Sequence, residues 1–96
     1  MKLQWRAMAL DDRQKIMDDI AQNNINIAVE VDQEFEKRAR KVRENPELYK
    51  VGRVHGTREI LINDDYIMVY RIVGVAVEIM RILYSEQKWT EVKENS

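Results

Sequence analysis

The chain has 96 residues, 45% of them hydrophobic and 34% charged, and a formal net charge of −1. This length fits one domain with a modest core, which we expect to span residues 1–96 with a polar tail at residues 85–96. The absence of cysteine excludes disulfides and thiolate chemistry, and no apolar run is long enough to span a membrane. Because the N-terminus carries charges too early for a secretory signal, we expect a cytoplasmic protein.

The charges are segregated along the chain although they nearly cancel overall. Residues 37–58 contain eight basic and two acidic residues, so this window carries +6 and the remainder −7. The basic residues are Lys37, Arg38, Arg40, Lys41, Arg43, Lys50, Arg53 and Arg58. A general DNA-binding protein would be basic overall. We therefore expect no direct sequence-specific DNA binding, and a local basic patch that suits an acidic protein segment or a phosphate.

The N-terminal quarter predicts a short strand followed by a helix. Residues 2–6 alternate between polar and apolar side chains, which is typical of a strand. Residues 8–23 follow the period of an amphipathic helix, and two asparagines end it. The predicted buried stripe consists of Leu10, Met17, Ile20 and Ala21, with Ile16 at its edge.

A second helix is predicted from Asn24 or Asn26, either of which can cap it, to about Glu44. The pair Asn45-Pro46 ends it, because the residue before proline is pushed out of the α region. Its apolar stripe is Ala28, Val31, Phe35, Ala39 and Val42, and its predicted ion pairs are Glu34 with Arg38 and Glu36 with Arg40. The short connection between the helices predicts an antiparallel hairpin.

Three strand-like runs follow a predicted loop at residues 47–56. They cover residues 57–63, 66–73 and 76–84, and short turns at Asp64-Asp65 and residues 73–75 separate them. We therefore predict an α+β fold in which the helical hairpin packs on one face of a four-stranded, mainly antiparallel sheet, with the element order β-α-α-β-β-β. The first strand joins this sheet at an edge or in the centre. A double-stranded-RNA-binding domain is disfavoured, because no helix is evident after the last strand.

Both faces of this sheet need cover, because its strands alternate only weakly between apolar and polar residues. The hairpin covers one face. The other face is apolar but carries either Arg71 and Arg81 or Glu78 and Tyr84, depending on which side chains point outward. Such a surface is typical of a partner-binding site. In the polar tail, only Trp89 and Val92 suggest that this segment packs against the rest of the domain.

The chain resembles the RelE/ParE superfamily of bacterial toxins from type II toxin-antitoxin systems. The resemblance rests on Gly-Arg and Gly-Thr-Arg-Glu at residues 52–53 and 56–59, on the aromatic-rich run 66–71, and on the apolar run 77–83. Upstream, a first strand bearing Trp5, a helical hairpin and Glu-Asn-Pro-Glu at residues 44–47 follow the same plan. The run Gln-Lys-Trp at residues 87–89 is similar to the family's usual ending. The resemblance covers nearly the whole chain.

The resemblance is closest to the ParE branch, whose members share the fold of the RelE ribonucleases but are known for inhibiting DNA gyrase. It implies a growth inhibitor that acts on gyrase and is neutralised by a cognate antitoxin. The alternatives are a ribosome-dependent mRNA endonuclease of RelE type and an inactive homologue that serves as an interaction module. Two positions depart from the family pattern: Tyr84 stands where histidine is frequent, and His55 where proline is common.

Two sets of residues are candidates for binding. The antitoxin, a helix or an added strand with acidic residues, is expected to contact Arg58, Arg71, Arg81 and Tyr84. The target is expected to contact the basic end of the second helix, at Arg38, Arg40, Lys41 and Arg43. The simpler interpretation of that end is a solvated surface that complements the helix dipole.

The catalytic inventory is generic, so we assign no catalytic residue. An endonuclease must activate a ribose 2′-hydroxyl, stabilise the phosphate and protonate the leaving oxygen. Glu59 or Lys50 could act as the base, His55 is best interpreted as a solvated loop residue, and no cofactor is expected. A nuclease site would use Arg58, Arg81 and Tyr84, with Arg71 as a further phosphate contact. The three arginines are better interpreted as partners of Glu59, Glu78 or carboxylates of an antitoxin. With one histidine and no cysteine, we expect no metal site.

Overall fold

The computed structural model describes residues 1–86 and shows an α+β fold with two helices and one five-stranded sheet. The elements are β1 (Lys2–Trp5), α1 (Ala7–Ala21), α2 (Ile25–Glu44), β2 (Lys50–Val51), β3 (Arg58–Ile62), β4 (Tyr66–Val73) and β5 (Ala76–Tyr84). The fold class is confirmed, and the predicted number of four strands is wrong. No helix within residues 1–86 is long and apolar enough to cross a membrane. The predictions for Trp89, Val92 and any helix in the tail concern residues 87–96, outside the described part.

The additional strand is β2, which lies in the stretch predicted as a loop. Its two residues pair antiparallel with β3, Lys50 opposite Glu59 and Val51 opposite Arg58. A two-residue strand is too short to show the alternation by which strands are recognised. Both residues of β2 are exposed, so hydrophobic patterning gives no signal there.

The sheet has the order β1-β5-β4-β3-β2. Strands β3, β4 and β5 form the predicted antiparallel meander. Strand β1 lies at an edge and runs parallel to β5, with Trp5 opposite Ile79. The helical hairpin and strands β2 to β4 lie between these parallel neighbours in the chain and provide the long connection that parallel pairing requires. The β3–β4 turn places Asn63 and Asp64 at φ 53° and 61°, one residue earlier than predicted, and Asn and Asp tolerate this left-handed region.

Helix α2 forms as its sequence predicts. The Asn24 side chain accepts a hydrogen bond from the backbone N–H of Ile27 at 3.1 Å, which caps the first turn. The predicted stripe faces the core: Ala28, Phe35, Ala39 and Val42 are buried and Val31 is partly buried. The ring of Phe35 packs edge-on against Tyr66 of β4 at 5.1 Å, which joins this helix to the sheet.

Helix α1 buries a stripe that matches the predicted one only in part: Ile16 is buried and Ile20 packs against the core, as predicted. Ala9 and Ile16 are 0% and 2% exposed, whereas Leu10 is 48% exposed. The core-facing positions 9, 12, 13, 16 and 20 have helical spacing, but two of them are Asp12 and Arg13. Because two charged residues interrupt the stripe, the apolar pattern points toward Leu10 and misplaces the buried face.

Arg13 joins three elements. Its guanidinium donates to Asp32 at 2.9 and 3.0 Å and to Glu36 at 2.8 Å, both on α2. It also lies 4.4 Å from the ring centroid of Trp5 on β1, within cation–π range. The predicted pair Glu36–Arg40 does not form among the described residues, because Glu36 is used by Arg13, whereas Glu34 and Arg38 do pair, at 3.6 Å. Arg13 therefore fixes the hairpin against the first strand.

Candidate functional site

The face of the sheet opposite the helices, called the outer face here, carries a small apolar cluster. Strand register places Ile67 and Val69 of β4 beside Leu83 and Arg81 of β5 on this face. Ile67, Val69 and Leu83 are buried, and Met80 packs against them. Met80 is an extra residue in β5, since Val69 pairs with Arg81 and Tyr70 with Ile79. This β-bulge directs Met80 onto the outer face.

The outer-face charges are held in ion pairs. Arg71 donates to Glu78 at 2.8 Å, and Arg6 also lies 3.8 Å from this carboxylate. Glu59, only 6% exposed, accepts from the backbone N–H of Arg53 at 3.0 Å and pairs with its side chain at 3.4 Å. Desolvated charges of this kind require partners, so these residues stabilise the fold.

Asp12 has a structural role that the local sequence does not indicate. Its carboxylate accepts two hydrogen bonds from Arg81, at 2.8 and 3.1 Å, and a third from the backbone N–H of Ile82 at 2.9 Å. Strand β1 ends at Trp5, so this N–H lies on the part of β5 that β1 does not cover. Asp12 therefore closes the exposed edge of β5. Only contact with a strand 70 residues away reveals this role.

The residues of the alternative nuclease site, Arg58, Arg81 and Tyr84, do not come together. Arg58 lies on the helix-covered face and donates to the backbone oxygens of Tyr49 at 2.8 Å and Glu47 at 3.3 Å. Tyr84 lies on the same face but two strands away and four residue positions along the sheet, roughly 16 Å in backbone distance. Arg81 points to the outer face and is held by Asp12.

The Tyr84 hydroxyl forms a hydrogen bond within the fold. It donates to the Asp19 carboxylate of α1 at 2.9 Å. Burial, together with this hydrogen bond, raises the pKa of Tyr84 to about 12. A group with such a pKa is a weak proton donor near neutral pH. Of the other candidate groups, Glu59 is tied to Arg53, and His55 and Lys50 are exposed.

A second candidate surface lies on the C-terminal half of α2. Lys37, Arg40 and Lys41 are exposed and share one side of the helix by their spacing, and Arg43 is half-buried beside them. Among the described residues none of these four forms an ion pair. Arg38 differs, because it pairs with Glu34 and donates to the backbone oxygen of Leu61 at 3.3 Å. We call the four residues Lys37, Arg40, Lys41 and Arg43 the α2 cationic surface.

Within residues 1–86, no three His, Cys, Asp or Glu side chains form a group that could hold a metal ion. The two surfaces differ in character: the outer face has an apolar cluster with paired charges, and the α2 cationic surface has unpaired charges among the described residues.

Comparison with known proteins places the chain in a family. The family model described as "ParE toxin of type II toxin-antitoxin system, parDE" matches residues 3–89. A solved structure described as the chromosomal ParDE TA system from P. aeruginosa superposes with a TM-score of 0.78 at 19% identity, covering 88% of this chain and 95% of that chain. No curated protein matches the sequence. The structural likeness establishes the shared fold, and the family match over residues 3–89 shows that this chain belongs to the ParE toxin family of type II toxin-antitoxin systems.

Proposed function

We propose that this ParE-family toxin arrests growth by binding DNA gyrase, and that a cognate antitoxin neutralises it. The resemblance to the ParE branch supplies the target, and the clustering of unpaired basic residues on one side of α2 supports a binding surface for it. Arg13, Arg53, Arg71 and Arg81 each have a carboxylate partner, whereas Lys37, Arg40, Lys41 and Arg43 have none among the described residues. A cluster of unpaired cations on one surface suits an acidic protein target.

Binding, rather than bond-breaking chemistry, is the mechanism that the geometry favours. Positioned donors around the reacting phosphate supply most of the rate enhancement in phosphoryl chemistry, so a nuclease needs its arginines and its acid within one site. Here Arg58 and Tyr84 lie roughly 16 Å apart along the sheet and Arg81 lies on the opposite face. An inhibitor that acts by binding needs no such convergence, only a surface with a few strong contacts.

The target is tested with purified protein in two parallel reactions. In the first, gyrase and relaxed plasmid are scored for lost supercoiling or trapped cleavage; in the second, translating ribosomes are scored for cut message. We expect the wild-type chain and Tyr84→Phe to inhibit gyrase alike and to leave the message intact. Message cleavage that Tyr84→Phe abolishes, with gyrase unaffected, would overturn the proposal and identify a ribosome-dependent endonuclease.

Toxicity and neutralisation are tested in growing cells. Induced expression of the chain alone should stop growth, and co-expression of the antitoxin should restore it. The proposed antitoxin contacts lie on both faces of the sheet: Arg71 and Arg81 on the outer face, and Arg58 and Tyr84 on the helix-covered face. Harmless overexpression from a verified sequence would refute the toxin activity and favour an inactive homologue that serves as an interaction module.

A further inference from the structure

A cavity of about 330 Å³ opens on the outer face, beside the first turn of α1. Its walls come from Met8 on α1, from residues 54–57 in the β2–β3 loop, from Arg71 on β4, and from Met80 and Arg81 on β5. Met8 is 58% exposed, so the apolar wall is open to solvent. A volume of this size is at the lower end of small ligand pockets and fits one large side chain of a partner.

The local sequence builds this cavity through two features. The β2–β3 loop is folded by the bond from Gly52 N–H to the Thr57 oxygen at 2.7 Å, and a Cβ at Gly52 would lie 2.3 Å from the Thr57 hydroxyl. A side chain at Gly52 would therefore displace the loop. On the other side, the β5 bulge projects Met80 into the cavity wall. Methionine adapts its shape to different partners, which suits a binding pocket.

The cavity combines apolar walls with positive charge. Arg71 uses its Nε to bind Glu78, and its side chain is 40% exposed. Glu78 is shared between Arg71 and Arg6, so two guanidinium groups have one carboxylate between them. This leaves a charge of about +1 next to the cavity. An apolar anchor flanked by a carboxylate complements both properties.

A peptide fits these walls better than a nucleic acid does. Proteins bind single-stranded RNA and DNA by stacking bases on aromatic rings along a charged groove. Among the described residues that line the cavity, His55 alone carries an aromatic ring, and a single imidazole does not form a row of stacking rings along a groove. The residual charge beside the cavity, about +1 once Glu78 and Asp12 are counted, matches one carboxylate but is small for a polyanion, whose binding proteins contact many phosphates.

We propose that this cavity binds an acidic segment of the neutralising antitoxin, with one aliphatic or aromatic side chain inserted between Met8 and Met80 and a neighbouring carboxylate on Arg71. The proposal rests on the antitoxin partnership of the proposed function. It adds Met8, Val54 and Met80 to the expected contacts and separates this surface from the α2 cationic surface.

The test uses the full chain and a fluorescein-labelled ten-residue peptide in which glutamates and aspartates flank a central Leu-Phe pair. A second peptide carries lysine at each acidic position. Binding is measured by fluorescence anisotropy at low salt, and the contact is located from amide shifts in NMR spectra. Met8→Asp alters the cavity wall, and Leu10→Asp is the matched control because Leu10 is a similarly exposed apolar residue on α1 that does not line the cavity.

We expect the acidic peptide to shift the amides of residues 54–57 and Met80, and Met8→Asp to weaken its binding at least tenfold. Leu10→Asp should change the affinity less than about twofold. The proposal is overturned if the acidic peptide does not bind, if the lysine peptide binds equally well, or if both variants have the same effect. A ten-residue oligouridine that displaces the peptide and binds Met8→Asp as tightly as wild type would identify a nucleic-acid site instead.

This result is independent of the gyrase assay. If the acidic peptide does not bind the wild-type chain and that chain still inhibits gyrase, only the cavity proposal is refuted. Peptide binding at the cavity by a chain that neither inhibits gyrase nor arrests growth would refute the proposed function alone.

Discussion

Two groups of basic residues in the folded chain differ in whether a carboxylate contacts them. Arg13, Arg53, Arg71 and Arg81 lie on or beside the sheet and each has a carboxylate within 2.8 to 3.4 Å. The α2 cationic surface has a similar number of cations and no carboxylate partner among the described residues. The comparison separates cations that hold elements of the fold together from cations that remain available to a partner.

Burial of the cation or of its carboxylate partner accounts for the difference: Glu59 and Glu78, which hold Arg53 and Arg71, are only 6% and 8% exposed. The Arg13 and Arg81 side chains are 15% and 22% exposed, so their charges have lost much of their water and require carboxylates. Lys37, Arg40 and Lys41 remain exposed, where an ion pair contributes at most about 1 kcal/mol and water is an adequate partner. Changes in the first group should therefore cost stability, and changes in the second should cost binding.

Asp12→Ala is expected to have the largest effect on stability. It leaves Arg81 and the N–H of Ile82 without their shared acceptor, and we expect a loss of about 2 to 3 kcal/mol in the free energy of unfolding. Urea denaturation measures the change, with the exposed neighbour Asp11→Ala as the control. Equal effects of the two substitutions would show that the Asp12 contacts add no more to the free energy of unfolding than an exposed carboxylate does.

Glu59→Gln is expected to rank second, at about 1 to 2 kcal/mol. The amide keeps an acceptor for the Arg53 N–H but removes the charge that holds the Arg53 side chain. The β2–β3 loop should then open more often, so hydrogen exchange at residues 52–57 should accelerate more than in β4. Unchanged exchange in this loop would contradict the role of Glu59 as its tether.

Tyr84→Phe should cost about 1 kcal/mol at neutral pH, because it removes the hydroxyl that bonds Asp19. The folded-state pKa of Tyr84 is about 12 and its ordinary value is 10.0. The hydroxyl's contribution is therefore complete below pH 10 and is lost as pH rises through 12. Stability measured between pH 9 and 12 should fall less steeply in the variant than in wild type, since Tyr70 is retained in both. If the stability of both proteins falls equally steeply with pH over this range, the raised pKa of Tyr84 is contradicted.

Arg40→Glu with Arg43→Glu should have the smallest effect on stability, less than about 1 kcal/mol, which arises mainly from acids near a helix C-terminus. The matched control is Lys2→Glu with Lys15→Glu, which makes the same charge change at two exposed lysines outside the surface. Thermal unfolding compares the two variants. A loss larger than that of Asp12→Ala would show that the α2 cationic surface is structural.

Most of the fold could be predicted from local sequence. The α2 stripe ending at Val42, its Asn24 cap and the bounds of β4 and β5 follow from periodicity and turn residues, and all are confirmed. Strand β2 could not be predicted, because two exposed residues carry no pattern. The buried face of α1 follows from the sequence only in part, because Asp12 and Arg13 also point inward and are tolerated there only because distant residues neutralise them.

The candidate site depends even more than the fold on contacts between residues that are distant in the sequence. The sequence offers Glu78 as a partner for an arginine, and Arg71 does pair with it, but the sequence cannot show that Asp12 holds Arg81. It also cannot show the bulge at Met80, since an extra residue in a strand has meaning only against the register of its neighbour. Long-range pairing, and not residue type, decides which charges remain free.

The most direct test of the central claim is a gyrase supercoiling titration with the wild-type chain and the two charge-reversal variants. We predict that Arg40→Glu with Arg43→Glu raises the half-inhibitory concentration at least tenfold, while Lys2→Glu with Lys15→Glu stays within about twofold of wild type. Such a difference between variants of equal net charge would locate target binding on the α2 cationic surface. Equal inhibition by all three proteins would contradict the claim that the unpaired cations of α2 engage the target.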